Sequence, residues 1–329
     1  MQLLMKKRFL AFAFISAMAL TACGTKHYQA SDYVLTLDYK NDFKILQLTD
    51  LHMADKDDQD VHYKFLDLLF EDEKAKGSDL VVITGDLFTF ASKPTAERLF
   101  NYLDEKAVPW TVCFGNHDEQ CYFSVDWLTG YLNRLGKSDD SKCMFKDLQD
   151  DDVNGNCNFV IRLMDGANVH DQLFIMDSNR YNYGEYFGYD FFHQDQIDWY
   201  VRMLEDNDTS SLMFYHIPLP EINDAWEKGE IMTIDGRKGE KREKSCPPDK
   251  DLGFFNVIKE KGSTKAMFFG HDHINNFVST YEGIDFAYGI KSTDRIYHDE
   301  DMLGARTITI HNDHSLEYHD LYHTYAEVK

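Results

Sequence analysis

Short apolar runs recur along the chain, each closed by a polar cluster. Phe43-Lys44-Ile45-Leu46-Gln47-Leu48 ends at Thr49-Asp50, Leu80-Val81-Val82-Ile83 at Thr84-Gly85-Asp86, and Trp110-Thr111-Val112-Cys113-Phe114 at Gly115-Asn116-His117-Asp118. Runs of this length, bounded by turn residues, predict buried strands. Between them the apolar spacing changes to a helical period. Val61, Phe65, Leu68 and Leu69 share one face, and Pro94 opens a second helix that continues through Leu99 and Leu103. Strand, helix, strand, helix, strand predicts a parallel sheet. Functional groups in such sheets gather just past the carboxyl ends of the strands.

The second half repeats the device less regularly. Phe159 to Leu163, Leu173 to Met176, Leu212 to Tyr215 and Lys265 to Phe269 predict strands, and Gln194 to Leu204 predicts a helix. The last two of these strands end at His216 and at Gly270-His271-Asp272-His273. Shorter strands follow around Phe277, Phe286, Thr307–Ile310 and Leu316–His319. No internal repeat or clean domain boundary interrupts the pattern. The polar segments 137–156 and 227–250 are expected as surface loops between core elements, placed where lids occur.

The amino terminus breaks the pattern. Residues 1–22 contain no acid, Lys6, Lys7 and Arg8 come first, and Phe9 to Leu20 is apolar. This order describes a secretory leader, too short for a comfortable membrane span of about 20 residues. Leu20-Thr21-Ala22-Cys23 resembles a bacterial lipobox. The resemblance implies cleavage before Cys23, lipid attachment to its sulfur, export, and anchorage to a bacterial membrane on its periplasmic or outer face. The expected organisation is a signal peptide over 1–22, lipidated Cys23 with a polar tether over 23–41, one domain over 42–323 and a tail over 324–329. Lipidation of Cys23 leaves Cys113, Cys121, Cys143, Cys157 and Cys246, an odd number that cannot all pair within one chain. Cys113, inside an apolar strand, is expected as a buried thiol.

Composition fits a folded domain. The chain has 329 residues, 43% of them hydrophobic, with a net charge of −23. Without residues 1–22 the charge becomes −26, because three of the 34 basic side chains are lost and none of the 57 acids. This excess argues against sequence-independent nucleic-acid binding, which needs a basic face. It also sits awkwardly with an anionic substrate unless some local charge reverses it.

Such a charge is implied by the polar clusters. Five strand ends deliver metal-type ligands: Asp50 and His52, Asp86, Asn116, His216, and His271 and His273. Carboxylate, imidazole and amide oxygen suit Mn, Fe, Zn or Co. One ion takes about four to six ligands, so seven groups suit two divalent ions sharing a carboxylate, at a separation of about 3.5–4 Å. Each piece alone is common by chance. The ordered set Asp50-x-His52, Gly85-Asp86, Gly115-Asn116-His117-Asp118, His216 and Gly270-His271-Asp272-His273 resembles the calcineurin-like metallophosphoesterase superfamily over residues 43–321. The stretches Ile45 to His52, Tyr215 to Glu221 and Gly270 to Asn275 resemble its branch of purple-acid-phosphatase-like yeast and plant phosphatases. The sequence departs from true purple acid phosphatases at Thr89, which stands where their tyrosinate iron ligand belongs, and a divalent pair is favoured over a ferric site.

The resemblance implies a four-layer α/β/β/α sandwich of two mixed sheets with flanking helices and a dinuclear site at the strand ends. It implies that Asp50, His52 and His273 hold one metal, Asn116, His216 and His271 the other, and that Asp86 bridges both. A bridging hydroxide would then be the nucleophile. His117 would donate a hydrogen bond to the phosphoryl oxygen or protonate the leaving alkoxide, and Asp118 would orient the His117 ring. Two divalent ions against the charges of Asp50 and Asp86 leave a positive centre, so an acidic chain still suits an anionic substrate.

The implied activity is phosphate-ester hydrolysis, with small phosphomonoesters favoured. A phosphodiesterase on nucleotides or glycerophosphodiesters is one alternative, and a surface binding lipoprotein on the same shell is a non-enzymatic one. The oligomeric state is not readable. Arg180, after a predicted strand, is a candidate phosphate clamp beside the reading of a surface arginine. Asp272 is either an orienting carboxylate or a solvated turn. His298, His311, His314, His319 and His323 lie outside the strand-end pattern and are expected at the surface or on edge strands. The Tyr181, Tyr183, Tyr186, Phe187 and Tyr189 stretch is expected to pack over the core, or else to stack an aromatic leaving group. The basic run Arg237 to Lys244 is expected as a solvated loop, with steering of anions as the other reading.

Overall fold

The computed structural model describes residues 28–56, 59–148, 151–184 and 188–329. The leader over 1–22 and the lipid site at Cys23 lie outside the described residues. Among the described residues no helix is long and apolar enough to cross a membrane, and Cys113, Cys121, Cys143, Cys157 and Cys246 are free thiols.

The elements run in the order β1 (Val34–Asp38), β2 (Phe43–Leu48), α1 (Gln59–Glu71), β3 (Leu80–Thr84), α2 (Lys93–Glu105), β4 (Trp110–Cys113), α3 (Val125–Leu135), β5 (Phe159–Asp165), β6 (Asn168–Ile175), β7 (Tyr181–Asn182), β8 (Gly188–Tyr189) and α4 (Gln194–Asp206). Then follow β9 (Ser211–Phe214), α5 (Ile222–Lys228), β10 (Glu230–Ile231), β11 (Thr233–Ile234), β12 (Arg237–Lys238), α6 (Phe254–Lys261), β13 (Thr264–Phe269), β14 (Val278–Tyr281), β15 (Ile284–Tyr288), β16 (Gly304–Ile310) and β17 (Leu316–Tyr322). Five strands form one sheet in the order β17-β16-β2-β3-β4, and eight form another in the order β1-β5-β6-β9-β13-β15-β14-β10. Strands β2, β3 and β4 are parallel neighbours, as the βαβαβ pattern predicts. In the larger sheet β6, β9, β13 and β15 are also parallel neighbours. Both sheets are mixed, because β16 runs antiparallel to β2 and β6 antiparallel to β5.

The apolar runs are continuous because the larger sheet is covered on both faces. Along β9 and β13, Leu212, Phe214, Ala266 and Phe268 belong to the core shared with the five-stranded sheet. Their neighbours Met213, Tyr215, Met267 and Phe269 enter a second core with Trp199 and Tyr200 of α4 and Phe254 and Phe255 of α6. Helices α1 to α3 cover the smaller sheet, where Phe100 stacks on Trp110 at 5.5 Å. The layers are therefore α/β/β/α. Arg306 of β16 is fully buried and ties the sheets together. It pairs with Asp320 at 2.7 and 3.1 Å and donates to the carbonyls of Tyr288 and Asn276.

Three expectations need correction. The segment taken as a tether contains β1, which pairs with β5 from Val34 to Asp38, and Tyr33 just before it is buried against Trp199. An edge strand with one side open carries alternating polar residues, which is why Val34-Leu35-Thr36-Leu37-Asp38 resembles a linker. The segment 324–329 is not a free tail. Tyr325 is buried, stacks on Phe65 at 4.4 Å, and its hydroxyl lies 2.8 Å from His62 Nδ1. The segment 227–250 is strapped down rather than poised as a lid. Strand β10 joins the large sheet, β11 and β12 pair with each other, and Ser245 is buried. Within it, Arg237 and Arg242 are neutralised by Glu240, Asp299 and Asp301, which leaves little field for steering anions.

Candidate metal centre

The loops after β2, β3, β4, β9 and β13 converge at one end of the two sheets, and all seven side chains expected as ligands are buried there. The Nε2 atoms of His52 and His273 lie 3.0 Å apart. Asp50 Oδ1 is 3.4 Å from His273 Nε2 and 3.9 Å from His52 Nε2. Asp86 Oδ2 lies between the two halves, 3.7 Å from His52 Nε2 and 3.2 Å from His216 Nε2. His216 Nε2 is in turn 3.3 Å from Asn116 Oδ1. The His271 ring stands edge-on to His216 at 5.2 Å.

The donor set fits divalent cations on two observations. Among the described residues Asp86 Oδ2 and His271 Nε2 are buried with no hydrogen-bond partner, a costly condition that a cation relieves. The histidine tautomers also agree. His216 Nδ1 donates to the Thr84 carbonyl at 2.8 Å and His273 Nδ1 to the Tyr297 carbonyl at 2.9 Å. A carbonyl can only accept, so in the neutral rings each Nε2 keeps its lone pair and points it at the carboxylates. His52 Nδ1 bonds Thr89 Oγ1 at 2.7 Å. Thr89 thus orients an imidazole.

The backbone is bent to make this convergence. Asp50, His52, Asp86 and His271 all adopt left-handed φ, between 46° and 81°, which costs each of them stability and clusters at functional sites. Three glycines make the room, and a Cβ on Gly115 would lie 2.3 Å from Asp86 Oδ1. A Cβ on Gly85, itself at φ +86°, would lie 2.5 Å from His216, and one on Gly270 would lie 2.5 Å from Asp50 Oδ2. Each motif glycine is therefore spent on a ligand from another strand.

The charges are strongly coupled. Burial opposes ionisation of Asp50, but His273, His216 and Lys291 outweigh it and hold the carboxyl well below the usual range. Burial would also lower His216, yet Asp86 and Asp50 push it up to about 10. His271 is driven down to about 3 by burial and by His216.

Several partners carry no motif in the sequence. Lys291 is buried, donates to the Asp50 carbonyl at 2.9 Å, and is lowered to about 8 by burial despite Asp50 and Asp86. Ser292 accepts from Thr49 N and Thr293 donates to the Leu51 carbonyl. This loop follows β15, a further parallel strand whose polar end sits at the same site, so the strand-end rule extended to Lys291-Ser292-Thr293 would have found it. Tyr181 accepts from Asn116 Nδ2 at 2.8 Å, which turns Asn116 Oδ1 toward His216.

Asp118 does not orient His117. Its carboxylate accepts from Phe88 N at 3.0 Å and Gly115 N at 2.8 Å, closing the loop around Asp86. Burial and the Asp86 charge raise it to about 8. The ring partner is Gln120, whose Oε1 lies 2.8 Å from His117 Nδ1. Consecutive residues of the short helical turn at 118–120 point apart, whereas the residue three positions on faces back. The His117 ring stands edge-on to His52 at 5.0 Å, and its backbone N donates to Asp86 Oδ1. Arg180 bonds Asn156 at 3.1 Å and faces Glu119 and Asp177, so its guanidinium lies among carboxylates and its neighbour Tyr181 reaches the site instead. Asp272 is buried rather than solvated, and takes a 2.5 Å bond from the Tyr288 hydroxyl.

Exposed aromatic side chains sit on the loops that carry the ligands and their partners. Phe90 (58% exposed) follows Thr89, and Tyr122 (65%) hydrogen-bonds through its backbone to Ala91. Tyr183 (69%) lies 5.8 Å from Tyr181, and Tyr297 (49%) stacks on His273 at 4.2 Å. Phe90 and Ile296 hold left-handed φ while exposing their side chains, a rare conformation for a β-branched or bulky residue.

Residues 43–275 match the family model of the calcineurin-like phosphoesterases. The chain is 28% identical to "Probable inactive purple acid phosphatase 14" of Arabidopsis thaliana, over 86% of this chain and 79% of the plant protein. It is 25% identical to "Probable inactive purple acid phosphatase 29" of the same plant, over 85% and 79% respectively. Among solved structures, a dimetal phosphatase from Danio rerio aligns with a TM-score of 0.51 and 16% identity, over 87% of this chain and all of that one. GAP50, the anchor in the inner membrane complex of Plasmodium, aligns with a TM-score of 0.53 and 11% identity, over 88% and 87%. These two structures share the fold.

Proposed function

The chain belongs to the calcineurin-like phosphoesterase family, and on that premise we propose that it hydrolyses phosphate esters with two divalent metal ions. The observation that carries this reading is the meeting of both halves of the site at Asp86 Oδ2, a buried oxygen without a hydrogen-bond partner among the described residues. Asp50, His52 and His273 would hold one ion, Asn116, His216 and His271 the other, and Asp86 both. Bound there, the ions supply Lewis acidity toward phosphoryl oxygens and a water acidified to near-neutral pKa.

The chain's own groups do the rest. Thr84, Thr89 and Tyr297 fix the ligand imidazoles, and Tyr181 fixes the Asn116 amide. His117, steadied by Gln120, presents its other nitrogen to a phosphoryl oxygen or to the leaving alkoxide. The apolar rim of Phe90, Tyr122, Tyr183 and Tyr297 favours a leaving group with apolar or ring surface. We favour small phosphomonoesters over phosphodiesters such as nucleotides or glycerophosphodiesters. The relatives named inactive favour a second reading, a binding protein on the same shell.

Hydrolysis of p-nitrophenyl phosphate and of its bis ester, after chelation and reloading with Mn, Fe, Zn or Co, tests all three. Faster cleavage of the monoester is the expected result. Faster cleavage of the bis ester means a diesterase, and full metal content without cleavage of either means the binding protein. The leader and lipobox support export and anchorage through Cys23. Partition of the full chain into detergent, lost in Cys23→Ala, is the check on that part.

A further inference from the structure

We propose that His170, Asp171 and His314 form a separate site for one zinc-like transition-metal ion at the opposite end of the sandwich. This rests on a cluster that the phosphoesterase reading does not use. Asp171 lies near the start of β6 and is 1% exposed, with its backbone in register with Leu163 of β5. Its Oδ2 is 2.5 Å from His170 Nδ1 and 3.1 Å from His314 Nδ1. One atom from each of the three side chains lies within 4.8 Å of the others. Among the described residues no lysine or arginine pairs with this buried carboxylate.

The surroundings favour a ligand set over a chance contact. His314 belongs to the turn between β16 and β17 and holds a left-handed φ of 64°, which aims its ring across to the other sheet. Its backbone N bonds the His311 carbonyl, which fixes the turn. The rings of His170 and His314 lie 4.4 Å apart at 34°, and Tyr39 stacks flat on His170 at 3.7 Å. His170 Nε2 faces the Asn312 carbonyl at 3.4 Å. A proton on Nε2 can donate there, leaving the Nδ1 lone pair for a metal, as outer partners of ligand histidines commonly arrange. Both histidines line a cleft of about 450 Å³, shared with Thr209, Ser263 and Lys265, so an ion and its waters have access.

Two imidazoles and one carboxylate match zinc sites that keep an open position, and also suit Co and Ni. Bonds of roughly 2.0–2.1 Å in tetrahedral geometry place ligand atoms about 3.3 Å apart. The His314 contact already has nearly that spacing, and the His170 contact needs to open by about 0.8 Å. Binding replaces the two Nδ1–H bonds to Oδ2 with bonds to the ion, and both protons leave to solvent or to Nε2. Asp177 and Ser178, past the other end of β6, belong to the phosphoesterase end, roughly 20 Å away along the strand. The ion therefore joins one sheet to the other far from the reaction.

The test is zinc content by elemental analysis, after chelation and dialysis against micromolar zinc, of the parent chain and of the double variant His170→Gln/His314→Gln. The expected difference is one ion per chain, with phosphate-ester hydrolysis unchanged. A fall from three to two leaves the dinuclear reading standing, and a fall from one to none supports this site while removing that reading. Any other difference overturns the proposal. As a check that needs no variant, saturating zinc should protect His170 and His314 of the parent from diethyl pyrocarbonate. Unchanged labelling of both histidines in saturating zinc overturns the proposal as well.

Discussion

The two halves of the proposed dinuclear centre are supported by different material. Behind Asp50, His52 and His273 stand buried donors and main chain: Lys291, Thr293, Thr89 and the Tyr297 carbonyl. Asn116 and His271 lean instead on Tyr181 and Tyr189, which belong to a short two-stranded ribbon outside both large sheets. His216, held by the Thr84 carbonyl, is the one ligand of that half with a core support. Segments with few core contacts open at low free energy. The two ions should therefore not be equivalent. The first half is set like a core residue, and the second depends on a rim that substrate also touches.

The largest effect is expected of Asp86→Ala, which removes the atom common to both halves. Metal analysis should then find the strand-end ions lost or loosely held, and turnover should fall to background. A variant that keeps both ions and its rate refutes the bridging role. Next in size, His117→Ala should keep both ions and lower turnover by about 10²–10⁴-fold. Loss of an ion in this variant would make His117 a ligand.

Paired substitutions of the outer partners should separate the two ions. Tyr181→Phe should weaken the second ion by about 10–100-fold and leave the first, and Thr89→Val should do the reverse. Titration of chelated protein with a chromophoric competitor resolves the two steps, and equal losses in both variants would erase the distinction. The smallest effect is expected at the rim. Tyr122→Ser should leave metal content and the rate on a small alkyl phosphate unchanged, and raise KM for an aryl phosphate by roughly 3–10-fold, since losing one stacking contact costs about 0.5–1.5 kcal/mol. An unchanged aryl KM separates the rim from the substrate.

Much of the centre was legible because a parallel strand end announces itself, with an apolar run closed by a ligand, either directly or after a glycine or a turn. Asp50, Asp86, Asn116, His216 and His271 all follow that rule and meet in the structure. What failed to show were contacts between distant positions. Lys291 supports Asp50 across 241 residues, and Tyr181 supports Asn116 across 65. Asp118 adjoins His117 in sequence, but adjacent side chains of a helical turn diverge and the turn brings Gln120 round to the ring instead. Strand β1 was hidden because an edge strand needs only Leu35 and Leu37 to hold its inner side.

The left-handed backbone at Asp50, His52, Asp86 and His271 has a consequence for how this site tolerates change. Asp and His are several-fold enriched among non-glycine residues that accept such a conformation, and β-branched residues are not. The same side chains therefore serve both as donors and as the residues best able to turn the corner. An alanine at any of these four positions removes a donor and also raises the energy of the turn, so its effect overstates the donor's share. Asparagine at 50 or 86 keeps the corner while removing the charge, and glycine keeps it while removing the side chain. The gap between the glycine and alanine variants measures the shape of the loop alone.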